Sequence, residues 1–110
     1  MTPIKLYSRL SEILDIQLYV KHDDLYPFTG GGSKARKIQH IIKAAKKEDA
    51  NALVSAGSAN SNHARVVALT AAELGWRCKL VIHDKEDYTN GNLLLMKLAG
   101  AELIFCQLSE

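Results

Sequence analysis

Residues 52–83 read ALVSAGSANSNHARVVALTAAELGWRCKLVIH, and this stretch decides the fold class. It starts with a short apolar run, passes through a Gly/Ser/Asn loop, continues with apolar residues at helical spacing, and ends on a second apolar run. The helix should begin near Ser61 or Asn62 and run to about Leu74. Gly75 stands where a helix ends on a left-handed residue. The stretch therefore predicts a strand–helix–strand unit.

The same alternation continues on both sides of this unit. Upstream, Ser33 is the predicted N-cap of an earlier helix. Downstream, LLLMKLAG (93–100) predicts a third helix and ELIFCQL (102–108) a third strand. Strands separated by helices imply an α/β protein, with a parallel sheet of βαβ units and right-handed crossovers. IQLYVKH (16–22) predicts a short separate strand. The side chains predicted to face the core are Ile38, Ile41, Ile42 and Ala45 of the first helix and Val67, Ala71 and Leu74 of the second.

The bulk composition excludes several classes of function. The chain has 110 residues and a net charge of +2, which is too small to argue for binding to nucleic acid or an anionic membrane. Its first ten residues lack the apolar segment of a secretory signal, and its apolar runs are too short to cross a bilayer. Cys78 and Cys106 lie in apolar strands and are predicted to be buried, reduced thiols. We therefore expect a soluble cytoplasmic protein.

The first candidate site is GGGSK (30–34). Three consecutive glycines expose backbone N–H groups, but their order matches neither the ATP phosphate loop nor G-x-G-x-x-G. A mononucleotide-binding domain is therefore the weakest reading, and a flexible turn before a helix stays open. Lys34 falls in the first turn of that helix, where the positive end of the dipole disfavours an ammonium ion. If it is also partly desolvated, its neutral amine can attack an aldehyde, whereas a solvated surface lysine is the plain alternative.

The second candidate site is SANSNHAR (58–65), where a strand turns into a helix. Parallel sheets bind ligands beyond the carboxyl ends of their strands. Ser61 could act chemically or only cap the helix, and Asn62 could offer its amide to a phenolate-type oxygen. His63 could stack on a ring, shuttle a proton or fill the helix edge. The four histidines are too scattered for a metal site, and no G-x-S-x-G elbow is present.

The order of several segments carries a family resemblance. TPI, SRLSEIL, LYVKHDDL, GGGSKARKI, ALVSAGSANSNHAR, AAELGWRCKLVI and GNLLLMKLAGAEL together resemble the D-cysteine desulfhydrase and 1-aminocyclopropane-1-carboxylate (ACC) deaminase family. These are pyridoxal-phosphate enzymes of fold type II, the tryptophan-synthase-β-like fold. The resemblance covers nearly the whole chain and implies the small-domain portion of that fold. It assigns residues 1–33 to the large domain and residues 34–110 to a partial α/β domain.

The resemblance also implies site residues and a reaction. Lys34 matches the lysine that holds pyridoxal phosphate covalently, and Ser61 matches a serine near the substrate with a proposed role in proton transfer or attack. Asn62 matches the asparagine that binds the phenolic oxygen of the cofactor. His63 matches a position that is histidine in desulfhydrase-like members and glutamine in the deaminases. This match favours β-elimination over ring opening and deamination of a small amino acid. Ser33 departs from the family's asparagine before the lysine.

Length is the larger departure, because family members are roughly three times as long, as two-domain enzymes are. The phosphate-binding loop and much of the substrate pocket belong to the later part. We therefore expect an amino-terminal part of a lyase or deaminase, inactive without a carboxyl-terminal half, which a complementing chain could supply. The rival interpretation is a non-catalytic α/β module for interaction or small-ligand binding, with apolar surface that favours homo-oligomers.

Overall fold

A three-stranded parallel sheet forms the centre of the computed structural model, which describes residues 2–86 and 91–106. The elements in chain order are β1 (Ile4–Leu6), α1 (Ser8–Leu14), β2 (Tyr19–Lys21), a 3-10 helix (Asp23–Leu25), α2 (Ser33–Lys47), β3 (Ala52–Gly57), α3 (Asn62–Leu74), β4 (Arg77–Ile82), α4 (Gly91–Leu98) and β5 (Glu102–Phe105). The sheet has the order β3-β4-β5, and both pairs of neighbours are parallel. The predicted α/β class is confirmed.

Helix α3 is the hub of the core. It packs against β3, β4, α2 and α4. Its buried face is built largely from small residues, which allow a helix to lie close to a sheet. On β4, Leu80 and Ile82 are completely buried. The buried apolar side chains are Ala35, Ile38, Ile42, Ala64, Val66, Val67, Ala68, Ala71, Leu80, Ile82, Leu93 and Met96.

Most of the predicted core residues are confirmed, with one error on α2. Ile38 and Ile42 are buried, but Ile41 is 41% exposed. Ala35 takes the inner position instead, with no exposed surface. Because α2 packs mainly against one helix, α3, its buried stripe is narrower than that of a helix that packs against a sheet. Ala45 lies at the margin of this stripe and is half-buried.

The helix ends follow the local chemistry of the sequence, with one correction. The Oγ of Ser61 accepts a hydrogen bond from the N–H of Ala64 at 3.1 Å, which confirms it as the N-cap of α3. Gly75 ends α3 at a φ of 66°, as predicted. Ser33 is not an N-cap, because Gly32 takes that position at φ 90° and ψ 169°, a conformation that only glycine adopts readily. Lys34 nevertheless stays in the first turn of α2.

The amino-terminal segment forms a unit beside this core. β1 and β2 pair as an antiparallel two-stranded sheet around α1, so the strand predicted over 16–22 is shorter, at Tyr19–Lys21. Helix α1 buries none of its residues. The exposed large apolar side chains of this unit are Ile4, Leu6, Leu10, Ile13, Leu14, Ile16 and Tyr19.

Two further predictions concern the strands and the cysteines. The predicted third strand reached residue 108, whereas β5 ends at Phe105 and residues 107–110 lie outside the described part. Cys78 and Cys106 are both free thiols, but each is only half-buried. Full burial is therefore wrong, because Cys78 packs against the core cluster without being enclosed by it. No helix in the described ranges is long and apolar enough to cross a membrane.

An ion pair ties the amino-terminal unit to α2. Arg36 donates to both carboxylate oxygens of Asp23, through Nε at 2.8 Å and Nη2 at 2.7 Å. The hydroxyl of Thr2 donates to the same carboxylate at 2.9 Å, and the Arg36 guanidinium lies 4.9 Å from the ring centroid of Tyr26. Hydrogen bonds from Arg36 and then Thr2 lower the pKa of Asp23 from 3.8 to about 2, against the opposing effect of burial.

This ion pair predicts an acid-dependent loss of stability. A carboxyl whose pKa is depressed in the folded state stabilises the fold above its unfolded pKa of 3.8 and loses that contribution as pH falls through about 2. Asp23→Asn should therefore lower the urea midpoint at neutral pH, and its difference from the original chain should shrink toward pH 2. Glu12→Gln, at an exposed position on α1, is the control. A difference for Asp23→Asn that does not change with pH would contradict this assignment.

Candidate active site

A cavity of about 300 Å³ lies between the glycine-rich loop and the start of α3. The residues that line it are Asp24, Gly30, Gly31, Gly32, Ser33, Lys34, Asn62 and Arg65. It unites Lys34 and Asn62, two of the predicted site residues, whereas Ser61 and His63 lie outside its lining. A wider depression of about 400 Å³ runs along residues 5–10, but one continuous segment lines it, so the fold gathers no distant groups there. The smaller cavity is the candidate site because it joins two predicted site residues from separate helix starts.

The glycine-rich loop is held closely against the segment before it. The N–H of Gly32 donates to the carbonyl of Asp23 at 2.6 Å. Gly31 has a φ of +78°, and a Cβ atom there would collide with the carbonyl oxygen of Asp24. A residue with a side chain therefore cannot take this position without moving the backbone. The loop brings Lys34 to the cavity because its path is fixed by this close approach.

Lys34 is the second residue of α2, and its side chain is exposed to solvent. Because this side chain is exposed, the partial desolvation of its amine that the sequence left open is not found in the described structure. What the structure retains is the position of Lys34 in the first turn, at the positive end of the helix dipole. An exposed side chain is compatible with covalent attachment of the amine to an aldehyde.

Asn62 begins α3 and is oriented by a residue from α4. The Nδ2 of Asn92 donates to the Oδ1 of Asn62 at 3.0 Å and to the carbonyl of Asn60 at 2.9 Å. With its Oδ1 engaged, Asn62 has its own Nδ2 available as a donor at the cavity. Sequence reasoning missed Asn92, since no local signal connects the start of α4 with the start of α3.

Ser61 and His63 flank Asn62 but make their contacts elsewhere. The Oγ of Ser61 accepts the capping bond, which leaves its O–H free to donate. The Nε2 of His63 lies 3.1 Å from the Oγ of Ser55 on β3. Burial lowers the pKa of His63, and the positive charges of Lys37 and Lys34 lower it further, so the neutral imidazole is favoured.

Arg65 also lines the cavity and was missed from the sequence. Its Nε is buried and finds no hydrogen-bond partner within residues 2–86 and 91–106, and its Nη1 lies 3.1 Å from where a Cβ on Gly30 would stand. Arg65 follows Asn62 by three residues on α3, so the two share a helix face, which is the signal that could have revealed it. A half-buried guanidinium whose Nε has no partner in the described part of the chain favours an anionic ligand such as a phosphate or carboxylate.

Together, the parallel α/β fold and the cavity at Lys34 are typical of α/β proteins that bind a small ligand beyond the ends of their strands. The chain belongs to the pyridoxal-phosphate dependent enzyme family, whose sequence model matches residues 1–110. It is 40% identical over 111 residues to D-cysteine desulfhydrase of Yersinia enterocolitica, covering 96% of this chain and 34% of the relative. The corresponding protein of Serratia proteamaculans is 39% identical over 112 residues, with the same coverage.

Solved structures agree with this assignment. A crystal structure of an ACC deaminase homologue superposes with a TM-score of 0.88 at 34% identity, covering 99% of this chain and 33% of that one. The processed form of threonine deaminase isoform 2 from Solanum lycopersicum has a TM-score of 0.75 at 20% identity and coverages of 98% and 28%, a likeness of fold alone. The predicted fold type II architecture and family resemblance are confirmed. The chain spans about a third of the length of the relatives it matches.

The cavity fits the cofactor of this family. Lys34 would supply an exposed amine for the aldehyde, and Asn62 would supply an amide donor for a ring oxygen. Arg65, whose buried Nε has no hydrogen-bond partner among the described residues, would supply positive charge beside the glycine-rich loop. The donor set suits an anionic aldehyde with a phenolic oxygen, and pyridoxal phosphate is such a molecule.

Proposed function

We propose that this chain is the amino-terminal part of a pyridoxal-phosphate enzyme that acts on a small amino acid. The reaction is β-elimination of the D-cysteine desulfhydrase type, with ACC deaminase-type ring opening and deamination as the alternative. The observation that carries the proposal is the convergence of Lys34 and Asn62 on one cavity. The names of the relatives support the substrate class, because they are a D-cysteine desulfhydrase and an ACC deaminase homologue.

Each site residue then has a distinct task. When bound, the cofactor supplies an electron sink for the substrate's reacting carbon. Lys34 would hold it covalently, and the Nδ2 of Asn62 would donate to its phenolic oxygen. Ser61 keeps its Oγ in the capping bond and can still place its hydroxyl proton near the substrate.

The family resemblance assigns His63 to cofactor binding, although His63 is not among the residues that line the cavity. Its bond to Ser55 fixes the ring, and its lowered pKa keeps the imidazole neutral. A neutral ring can pack beside the cofactor or accept a proton, whereas a charged one would repel the nearby lysines.

A proposed division of the chain explains its surface. Residues 1–33 would belong with a large domain, and residues 34–110 would form part of a small one. The separate two-stranded sheet and the uncovered apolar side chains of α1 support this division. A complementing carboxyl-terminal chain would cover that surface and supply the phosphate anchor, whereas a second copy of this chain would only cover the surface. The proposed location is the cytoplasm.

Reductive labelling tests the role of Lys34. The purified chain is mixed with pyridoxal phosphate, reduced with borohydride and mapped by mass spectrometry. We expect a preferred adduct at Lys34, which is lost in Lys34→Ala, because its amine lies at the cavity beside Asn62 and Arg65.

The matched control is Lys37→Ala, since Lys37 lies exposed one turn further along the same helix. This variant should keep the Lys34 adduct. Labelling spread evenly over the surface lysines would argue against the site, and so would an unchanged total yield in Lys34→Ala.

The apolar surface of α1 also favours a second candidate, a non-catalytic interaction or small-ligand module. Ile13 is 69% exposed and Leu14 is 54% exposed, although both are large apolar side chains. A stable oligomer in a size measurement, together with no preferred adduct at Lys34, would support this module over the enzyme.

A further inference from the structure

The parallel ladder places a cysteine and a histidine side by side beyond its last strand pair. Ile82 and Phe105 are the final register partners of β4 and β5, and the next residues are His83 and Cys106. The N–H of Cys106 donates to the carbonyl of Ile82 at 2.9 Å, which continues the ladder by one step. The Nδ1 of His83 lies 3.2 Å from the Sγ of Cys106. The backbone therefore fixes this contact across 23 positions of sequence.

The two cysteines of the chain differ in their surroundings. Cys78 is half-buried against the core, and burial raises the pKa of its thiol, which disfavours the thiolate. Cys106 is also half-buried, but its sulfur contacts an exposed imidazole. A nucleophile within hydrogen-bond reach of a base is the arrangement that activates thiols.

We propose that Cys106 is a site of covalent thiol modification by low-molecular-weight disulfides, with His83 as the proton acceptor. The imidazole takes the thiol proton, and the Cys106 sulfur attacks one sulfur of the disulfide. A new S–S bond to Cys106 forms as the original S–S bond breaks. The second sulfur leaves as a thiolate, so Cys106 is oxidised and the leaving sulfur is reduced.

The position of this pair connects it to the candidate active site. The N–H of His83 donates to the carbonyl of Gly57 at 3.0 Å, where the loop of Ser61 and Asn62 begins. The next residue, Asp84, accepts from the N–H of Ala59 in the same loop at 3.2 Å. An adduct on Cys106 would stand beside the residues that hold this loop. The proposal does not depend on the cofactor, so it can be tested with the chain alone.

The test is the rate of mixed-disulfide formation at each cysteine. The chain is treated with oxidised glutathione near neutral pH, and adducts at Cys106 and Cys78 are counted by peptide mass spectrometry. Cys106 should react about tenfold faster, because the Nδ1 of His83 lies within hydrogen-bond reach of its sulfur, whereas Cys78 packs against the core. In denaturant the two rates should become equal. Equal rates in the folded chain would overturn the proposal.

The role of His83 is tested with His83→Gln, which keeps a polar side chain of similar size but provides no base. We expect the Cys106 rate to fall about tenfold, toward that of an unassisted thiol, while the Cys78 rate stays the same. His40→Gln, at an exposed position on α2, is the matched control and should change neither rate. An undiminished Cys106 rate in His83→Gln would overturn the assignment. The Cys78 rate monitors folding, and a rise in His83→Gln would mean that this variant is partly unfolded. The proposal is then judged by the ratio of the Cys106 rate to the Cys78 rate in the original chain.

Discussion

Truncating Leu80 to alanine is expected to lower the free energy of unfolding by about 2–5 kcal/mol, the usual range for a fully buried leucine. Leu80 has no exposed surface and lies on β4, the central strand of the parallel sheet. Its removal would leave a cavity beneath α3, which packs against both β3 and β4. Small domains are stable by only about 5–15 kcal/mol, so much of the fold's margin would be lost.

Urea unfolding followed by circular dichroism measures this effect. Val54→Ala is the matched control, because Val54 is an apolar residue of the same sheet but is 74% exposed. Its substitution should change the free energy of unfolding by no more than about 0.5 kcal/mol. Similar losses for the two variants would mean that the face of the sheet on which Val54 lies is buried in solution, for example in an oligomer.

Gly31→Ala is expected to be the second most damaging substitution, with a loss of about 2–4 kcal/mol. One part comes from placing alanine at a φ of +78°. The other comes from its Cβ, which would collide with the carbonyl oxygen of Asp24, so the backbone must shift. That shift moves the loop before Lys34, and the preferred adduct of pyridoxal phosphate should weaken with it.

Gly75→Ala separates these two causes. Gly75 also has a positive φ, of +66°, but a Cβ there would meet nothing within 4 Å. The loss should therefore be about 1–2 kcal/mol, from the left-handed conformation alone, with Lys34 labelling unchanged. If Gly31→Ala and Gly75→Ala proved equally mild, the close approach at Asp24 would carry no energetic weight.

Local sequence patterns predicted the main helices and strands because helical spacing and capping depend on residues that are close together in the chain. Apolar residues at helical spacing placed α2 and α3, and the capping chemistry of Ser61 and Gly75 placed the ends of α3. The same reasoning failed at Ile41, because helical spacing in the sequence does not show how much of the apolar face its packing partner covers. It also missed α1, whose apolar side chains find no core in the described part of the chain.

The candidate site likewise contains residues that the sequence predicted and residues that only the structure revealed. Lys34 and Asn62 were predicted from the loops in which they lie and from the family resemblance, and the fold brings both to one cavity. The roles of all four residues remain predictions, and of the four only Ser61 and His63 do not line the cavity. Arg65 and Asn92 entered only with the structure, through an unpartnered buried Nε and a bond between two helix starts.

By itself the sequence determined the alternation of strands and helices, the α/β class and the family, because periodicity, capping and motif order are properties of neighbouring residues. Only the tertiary structure decided which residues meet. The contact of His83 with Cys106 depends on the register of two strands, and the contact of Asn92 with Asn62 depends on how α4 packs against α3. Such contacts join residues far apart in the chain, and packing of the whole core sets their distances.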